Sequence, residues 1–126
     1  MLFRFMAPLL DHIRVVIADD SDFVRFRLRD LLREHGARVV GEADNANTAV
    51  DLVDEIEPDA VVLDIEMPGN GIKALKKIKK KYPDTKVIML TNHSEPYFKK
   101  MCLKAGASFF MDKSLEFEKV PAALAT

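Results

Sequence analysis

The feature that most constrains this chain is a regular alternation of two apolar patterns. Short, continuously apolar runs are typical of strands that are buried on both faces of a sheet. Between them lie longer stretches in which apolar residues recur every three or four positions, as on the buried side of a helix. Strands and helices that alternate through short connections predict a parallel sheet with helices on both faces.

Five runs of the first kind predict five strands, at residues 13–18, 38–41, 60–63, 87–90 and 108–111. Polar residues that can cap the intervening helices precede three of the periodic stretches. These candidate caps are Ser21 or Asp22, Asn45 or Asn47, and Ser94. A turn at residues 68–71 precedes the third helix. A short last helix is predicted after Leu115, with Pro121 near its first turn.

Length and composition exclude several classes of protein. The 126 residues suit one domain with a single core, and the net charge of −1 gives no global sign of a nucleic-acid or membrane partner. One cysteine, Cys102, excludes an internal disulfide and a cysteine-based zinc site, and it fits a reducing, cytoplasmic setting. Residues 1–12 are predicted to be an N-terminal arm outside a domain at 13–126. A signal peptide is the alternative, but the apolar stretch is short and no small-residue cleavage site follows it.

Reactive side chains follow the predicted strands at their carboxyl ends, where open parallel sheets bind ligands. Asp19 and Asp20 follow strand one, and Asp64 follows strand three. Thr91 follows strand four, and Asp112 and Lys113 follow strand five. We expect three carboxylates, a hydroxyl and an ammonium to converge on one crevice. Within it, Asp64 can act as a nucleophile that forms an acyl phosphate. Lys113 and the Thr91 hydroxyl can contact the phosphoryl oxygens.

Carboxylates that are held close together need a compensating charge. At 4 Å and an effective dielectric constant near 20, each pair repels by about 4 kcal/mol, which a bound proton or cation relieves. Oxygen ligands at a partly open edge favour Mg²⁺, which takes one or two protein carboxylates and keeps several waters. Zinc is disfavoured because no histidine or cysteine lies at these strand ends.

Four segments, in this order and at this spacing, resemble the receiver domain of two-component response regulators, the CheY-like family. They are IRVVIADD at 13–20, VVLDIEMP at 61–68, LT at 90–91 and FMDK at 110–113. Any one segment alone is a weak signal, whereas the four together are specific. The resemblance implies a flavodoxin-like (βα)5 fold, a three-layer α/β sandwich whose parallel sheet has the strand order 2-1-3-4-5.

The resemblance also assigns roles by position. Asp64 resembles the phosphoacceptor, Asp20 a direct Mg²⁺ ligand, and Asp19 the acidic neighbour that acts largely through water. Asp64 is itself counted with the metal ligands, and Glu66 would add its backbone carbonyl. Lys113 resembles a phosphate contact.

Thr91 resembles the second phosphate contact, and Phe110 resembles the switch aromatic that moves inward when this threonine is drawn toward the phosphoryl group. Burial in the core is the simpler role for Phe110. Glu66 and His93 lie two positions after Asp64 and Thr91, where the family tunes the rate of phosphoryl loss. Their alternative role is that of solvated loop residues.

By resemblance, the chain is a single-domain response regulator that takes a phosphoryl group from a sensor histidine kinase or phosphotransfer protein. It has no turnover substrate. A downstream protein would read the face of helix four, strand five and helix five, which can also form a homodimer. No direct nucleic-acid binding and no membrane partner are expected.

Three departures from the family pattern bear on these roles. The loop after Asp64 is one residue shorter than usual before its glycine, which affects the start of the third helix. Asn92 stands where a very small residue is usual and can narrow the access to the site. Ser114 stands where a proline in a cis bond usually follows the lysine. A cis bond to a non-proline residue costs about 2.5–4 kcal/mol, which favours a trans bond, but the sequence leaves the conformation of this peptide open.

Two other functions stay open at this stage. One is a receiver-like interaction module that is not phosphorylated, an interpretation that Asn92 and Ser114 support. The other is an aspartyl-phosphate phosphatase of the haloacid type. Such enzymes require a second acid two residues after the nucleophile, and Glu66 stands at that position after Asp64. The larger cap that such enzymes use is absent from this sequence.

Overall fold

The computed structural model describes residues 10–126, in which five parallel strands form one sheet. The strands are β1 Arg14–Ala18, β2 Arg38–Ala43, β3 Ala60–Leu63, β4 Lys86–Thr91 and β5 Phe109–Asp112. Their order across the sheet is β2-β1-β3-β4-β5. The predicted α/β fold and strand order are therefore confirmed.

Six helices connect or follow these strands. They are α1 Asp22–Glu34, α2 Ala46–Ile56, α3 Gly71–Lys81, α4 Pro96–Lys104, α5 Lys113–Glu116 and α6 Val120–Leu124, with a 3-10 turn at Phe117–Lys119 before the last. Within residues 10–126, no helix is long and apolar enough to cross a membrane.

Two of the three predicted caps are confirmed. The Ser21 hydroxyl accepts a hydrogen bond from the amide of Val24, and the Asn45 side chain caps α2. The prediction that Ser94 caps the fourth helix is wrong, because α4 begins at Pro96 and has no side-chain cap. Proline supplies a helical φ and has no N–H that needs an acceptor, so the first turn forms without one.

Two apolar clusters cover the two faces of the sheet. One includes buried residues of α2 and α3 and Cys102 of α4; the other includes Leu28, Leu31 and Leu32 of α1 and residues of α6. The central strands contribute side chains to both clusters in alternation, which explains why their sequences are continuously apolar.

The start of the described chain packs against the C-terminal end of α1. Leu10, which the predicted arm includes, is fully buried, and its amide donates to the carbonyl of His35 at 2.7 Å. The amide of His12 donates to the carbonyl of Gly36. The remainder of the predicted arm, residues 1–9, lies outside the described residues, and the domain boundary stays a prediction.

The short loop between β3 and α3 brings the helix directly against the end of the strand. A Cβ atom on Gly71 would lie 1.8 Å from the carbonyl oxygen of Asp64, so only glycine permits this approach. Asn70 adopts a φ of 73° and accepts hydrogen bonds from the amides of Ile72 and Lys73. The shortened loop therefore starts α3 at Gly71 with an asparagine cap, and it holds the backbone of Asp64 in place.

Candidate functional site

Three carboxylates meet at the carboxyl end of the sheet. Ligand oxygens of Asp19, Asp20 and Asp64 all lie within 4.8 Å of one another. The pairing of β1 with β3 aligns Ala18 with Leu63, so the residues that follow these two lie side by side. Asp19 and Asp64 are buried, whereas Asp20 is exposed at the mouth. The predicted convergence of the three acids is therefore confirmed.

Lys113 bridges the two buried acids. Its Nζ donates to Asp19 Oδ2 at 2.5 Å and to Asp64 Oδ2 at 2.7 Å. The lysine reaches this position because β5 pairs with β4, aligning Asp112 with Thr91, and α5 begins directly afterwards.

The ionisation of this group reflects burial and pairing together. Burial raises the pKa of Asp19 above 3.8, reinforced by the charge of Asp64 and opposed by the bond from Lys113. For Lys113, burial is the largest single influence and lowers the pKa. The hydrogen bonds to the two acids together outweigh it, so the pKa is raised above 10.5. The two raised pKa values have different causes. Lys113 gains two hydrogen-bond acceptors, which favour its charged form, whereas Asp19 is removed from water, which favours its neutral form.

The donor set fits a hard divalent cation. Three carboxylates and one ammonium leave two negative charges in excess when all are ionised. The ligand atoms are all oxygens, one acid is open to solvent, and two are held by the fold, which suits Mg²⁺ with part of its water shell. These residues would hold such an ion, and it would neutralise the excess charge.

Two residues that the sequence interpretation did not assign to the site hold Asp19 in position. The amide of Ser21 donates to Asp19 Oδ1 at 2.9 Å, and Arg25 Nη1 donates to the Asp19 carbonyl at 2.6 Å. Arg25 also lies 3.5 Å from a carboxylate oxygen of Glu42 on β2. A basic residue near the N-terminus of a helix, where an acid is favoured, is the signal that could have identified Arg25.

Thr91 and Phe110 lie on the same side of the sheet. Thr91 is fully buried, and its hydroxyl oxygen accepts a hydrogen bond from the amide of His93 at 3.1 Å. Phe110 is half-buried and aligns with Met89, two residues before Thr91, so the two side chains extend from the same face. Phe110 packs against the same apolar cluster as Met89.

Glu66 and His93 contact each other across the mouth of the crevice. His93 Nε2 lies 2.5 Å from Glu66 Oε2. The hydrogen bond to Glu66 raises the pKa of His93 above 6.5. The structure therefore joins the two residues that the sequence named separately, and it does so through a contact between loops that are 27 positions apart.

The acceptor crevice, as we call the site cavity, has a volume of about 380 Å³. It is lined by Asp19, Asp20, Ser21, Val24, Asp64, Glu66, Asn92, His93 and Lys113. The side chain of Asn92 accepts a hydrogen bond from the Ser114 hydroxyl at 3.2 Å, so the two departures from the family pattern are joined.

The peptide between Lys113 and Ser114, whose conformation the sequence left open, is trans, since residues 10–126 contain no cis bond. Ser114 has a backbone N–H, which a proline would lack. The Asp112 side chain accepts hydrogen bonds from the amides of Ser114 and Leu115. The hydroxyl of Ser94 and these two amides lower the pKa of Asp112. Ser94 thus contacts the start of α5 rather than that of α4.

Comparison with known proteins places the chain. Residues 15–125 match the model of the response regulator receiver domain. The chain is 39% identical to the chemotaxis protein CheY of Thermotoga maritima over 112 residues, which is 88% of this chain and 93% of that protein. It is 35% identical to the response regulator GacA of Pseudomonas aeruginosa over 89% of its own length and 53% of that protein's length.

One solved structure is similar to this chain in both fold and sequence. The CheX–CheY complex with BeF3 and Mg²⁺ from Borrelia burgdorferi contains a chain with a TM-score of 0.84 and 30% identity. The alignment covers 89% of this chain and 86% of that chain.

Proposed function

Because this chain belongs to the response regulator receiver domain family, we propose that it accepts a phosphoryl group on Asp64 in a Mg²⁺-dependent reaction and transmits a signal through a change of shape. One observation carries the proposal: Asp19, Asp20 and Asp64 share a single site with Lys113. Family membership identifies the class of protein, and this cluster identifies the residues that would carry out the chemistry.

Each side chain has a role that follows from its position. A carboxylate oxygen of Asp64 attacks the phosphorus of the donor and forms the acyl phosphate, while the donor's bond to phosphorus breaks and the donor leaves with the electron pair. The Lys113 ammonium, 2.7 Å from that carboxylate, neutralises a phosphoryl oxygen. Asp19 keeps the ammonium in place from the other side. Asp20 and the Glu66 carbonyl would be among the groups that hold the Mg²⁺ ion, which would supply compensating positive charge.

The signal proposed here passes from Thr91 to Phe110. The Thr91 hydroxyl can turn to donate to a phosphoryl oxygen, because it now serves as acceptor for the His93 amide. Space that is vacated beside Phe110 would let its half-buried ring move inward. The surface of α4, β5 and α5 would change with it, and a partner would read that surface.

Glu66 and His93 are proposed to set the lifetime of the phosphoryl group, because their contact stands at the mouth where an attacking water must enter. Exchange of both for alanine should change the rate of dephosphorylation. An unchanged rate would exclude this role.

The partners are proposed by analogy. A sensor histidine kinase or phosphotransfer protein would donate the phosphoryl group. A protein target would bind the face of α4, β5 and α5, by analogy with the CheX–CheY complex from Borrelia burgdorferi. A homodimer through the same face, a cytoplasmic location and the lack of a turnover substrate belong to this proposal.

A second candidate is an interaction module that is not phosphorylated. The hydrogen bond between Ser114 and Asn92 favours it, because it holds an enlarged side chain at the entrance to the crevice. Incubation with Mg²⁺ and acetyl phosphate separates the two functions. A phosphoacceptor gains about 80 daltons, and this gain disappears in Asp64→Asn. An interaction module gains nothing, and a phosphatase releases phosphate over many turnovers.

A further inference from the structure

Two neighbouring helices of opposite charge form one exposed face of the molecule, which we call the α2–α3 face. α2 carries Asp51, Asp54 and Glu55 and no basic residue, whereas α3 has lysine at six of its eleven positions and no acid. Because the net charge of the whole chain is only −1, this separation is a local property and not an excess of one sign. A surface that is acidic on one half and basic on the other attracts a partner with the reverse arrangement.

The two helices lie side by side and run in the same direction. Near their N-terminal ends, Asn47 of α2 and Lys73 of α3 line one groove of about 270 Å³. Near their C-terminal ends, Asp54 of α2 pairs with Lys81 of α3 at 2.9 Å. Each turn of α2 is therefore level with the corresponding turn of α3.

Most charges of the α2–α3 face have no partner of opposite sign in the part of the chain that the structure describes. Within residues 10–126, the pair of Asp54 and Lys81 is the ion pair that joins the two helices. Lys79 is occupied elsewhere, since its Nζ donates to the carbonyls of Pro83 and Thr85. The remaining charged residues of both helices are exposed and form no ion pair within that range: Asp51, Glu55, Lys73, Lys76, Lys77 and Lys80. These charges are available to a second molecule.

A second copy of this chain carries the reverse arrangement. A two-fold axis that lies in the face and parallel to the helices places α2 of one copy against α3 of the other, and the same contact occurs twice in the dimer. A two-fold axis across the helices would instead place α2 against α2 and α3 against α3, which the like charges oppose. The charge pattern therefore selects the first axis.

This axis keeps corresponding turns of the two helices level. Asp51 comes within one turn of the second copy's Lys77, and Glu55 comes within one turn of the second copy's Lys80. Alanines of both helices line the groove between them, so the groove can take the methylene stem of an opposing lysine. Each helix is only about 16 Å long, so the interface belongs to the small, transient class.

We propose that the α2–α3 face is a self-association surface, at which a second copy of this chain binds about a two-fold axis parallel to the two helices. The face is separate from the surface of α4, β5 and α5, to which the proposed function assigns a downstream partner. The inference therefore does not depend on phosphorylation of Asp64. Because exposed charges carry the contact, the dimer is weak and dissociates as the salt concentration rises.

Sedimentation equilibrium of the wild-type protein tests the surface without any substitution. We expect a monomer–dimer equilibrium at protein concentrations up to about 1 mM, the range of weak complexes. The dissociation constant of the dimer should rise at least about tenfold between about 0.01 M and 1 M salt, because the Debye length falls from about 30 Å to about 3 Å. A protein that is monomeric at low salt, or a dimer that does not respond to salt, overturns the proposal.

Two charge-reversal variants identify the face itself. One carries Asp51→Lys and Glu55→Lys, and the other carries Lys77→Glu and Lys80→Glu; all four side chains are exposed. Each variant alone should be monomeric, because like charges then meet twice in its homodimer. An equal mixture should restore the dimer, because α2 of each variant then meets α3 of the other with opposite charge.

Arg33→Glu with Lys119→Glu is the matched control. It changes the net charge by the same amount as the α3 variant, but these exposed residues lie on α1 and in the turn before α6, on the other side of the sheet. The control should dimerise like the wild-type protein, and circular dichroism should show that every variant is folded. The proposal is overturned if the control loses the dimer as the α3 variant does, if both reversal variants still dimerise alone, or if their mixture stays monomeric.

Discussion

Exchange of Lys113 for methionine removes the charge that joins the two buried acids while it preserves most of the side-chain volume. The side chains of Lys113, Asp19 and Asp64 are only 12%, 5% and 7% exposed, so solvent screens this group weakly. Removal of one partner from a buried pair costs about 3–5 kcal/mol, because a charge is left without compensation. Against a total stability of about 5–15 kcal/mol, this loss is large. We expect the Tm to fall by about 10–20 °C at pH 7 without Mg²⁺.

The loss should depend on pH with a definite sign. Loss of the Lys113 contact removes an influence that lowers the pKa of Asp19, so this pKa, already above 3.8, rises further. A carboxyl with a raised pKa binds its proton more tightly in the folded state, so stability falls as pH rises from 3.8 through the folded pKa. The variant's deficit should therefore be largest above that interval and shrink on acidification.

Thermal unfolding followed by circular dichroism measures both effects. Saturating Mg²⁺ should restore part of the lost stability, since it supplies positive charge to the same carboxylates. Lys80→Met is the matched control, because Lys80 is exposed on α3, and its loss should change the stability by less than about 0.5 kcal/mol. A wild-type Tm for Lys113→Met at pH 7 without Mg²⁺, or a deficit that does not shrink in acid, would refute the reasoning.

Three further changes have defined outcomes. Gly71→Ala should cost more than about 3 kcal/mol in urea unfolding, because its Cβ would meet the Asp64 carbonyl at 1.8 Å; a cost below about 1 kcal/mol would contradict that contact. Asn70→Ala should cost about 1–2 kcal/mol by the same assay, and Asn70→Gly clearly less, because glycine adopts the φ of 73° without strain; equal losses would argue against the cap and φ. An NMR titration should place the pKa of His93 above 6.5, and Glu66→Gln should lower it; no change would exclude the ion pair.

The strands and the acid cluster were predictable because they depend on local pattern and on sheet topology. The run Ala60–Leu63 is apolar at every position, and its predicted bounds match β3. Once the strands are parallel, the residues after their carboxyl ends must share one edge, which is why Asp19 and Asp64 could be paired from sequence. The same rule places Lys113 at that edge, but its bridge between the two buried acids was not predicted.

Contacts between distant polar residues were harder to foresee. The second strand was predicted to end at Gly41, where the apolar pattern stops, yet β2 continues to Ala43. Glu42 is accommodated there because its carboxylate accepts a hydrogen bond at 2.5 Å from Arg29, on α1. No local pattern contains that partner, and the same holds for the contact of Glu66 with His93.

The last helix shows how a local pattern can mislead about continuity. A single short helix was predicted after Leu115, whereas the structure has α5, a 3-10 turn and α6. Asp112 caps α5 early, and α6 begins separately at Val120 with Pro121 in its first turn, where a residue without an N–H is tolerated. Each signal was visible in the sequence, but their combined effect depends on how the segment packs against α1 and β4.

The most direct test of the central claim is to locate the phosphoryl group itself. After reaction with acetyl phosphate and Mg²⁺, borohydride reduces an aspartyl phosphate to homoserine, which is about 14 daltons lighter than aspartate. We expect this change in the tryptic fragment that spans Asp64, and none in the fragment that carries Asp19 and Asp20. Reduction at another residue, or at none under conditions in which a known receiver is modified, would contradict the account.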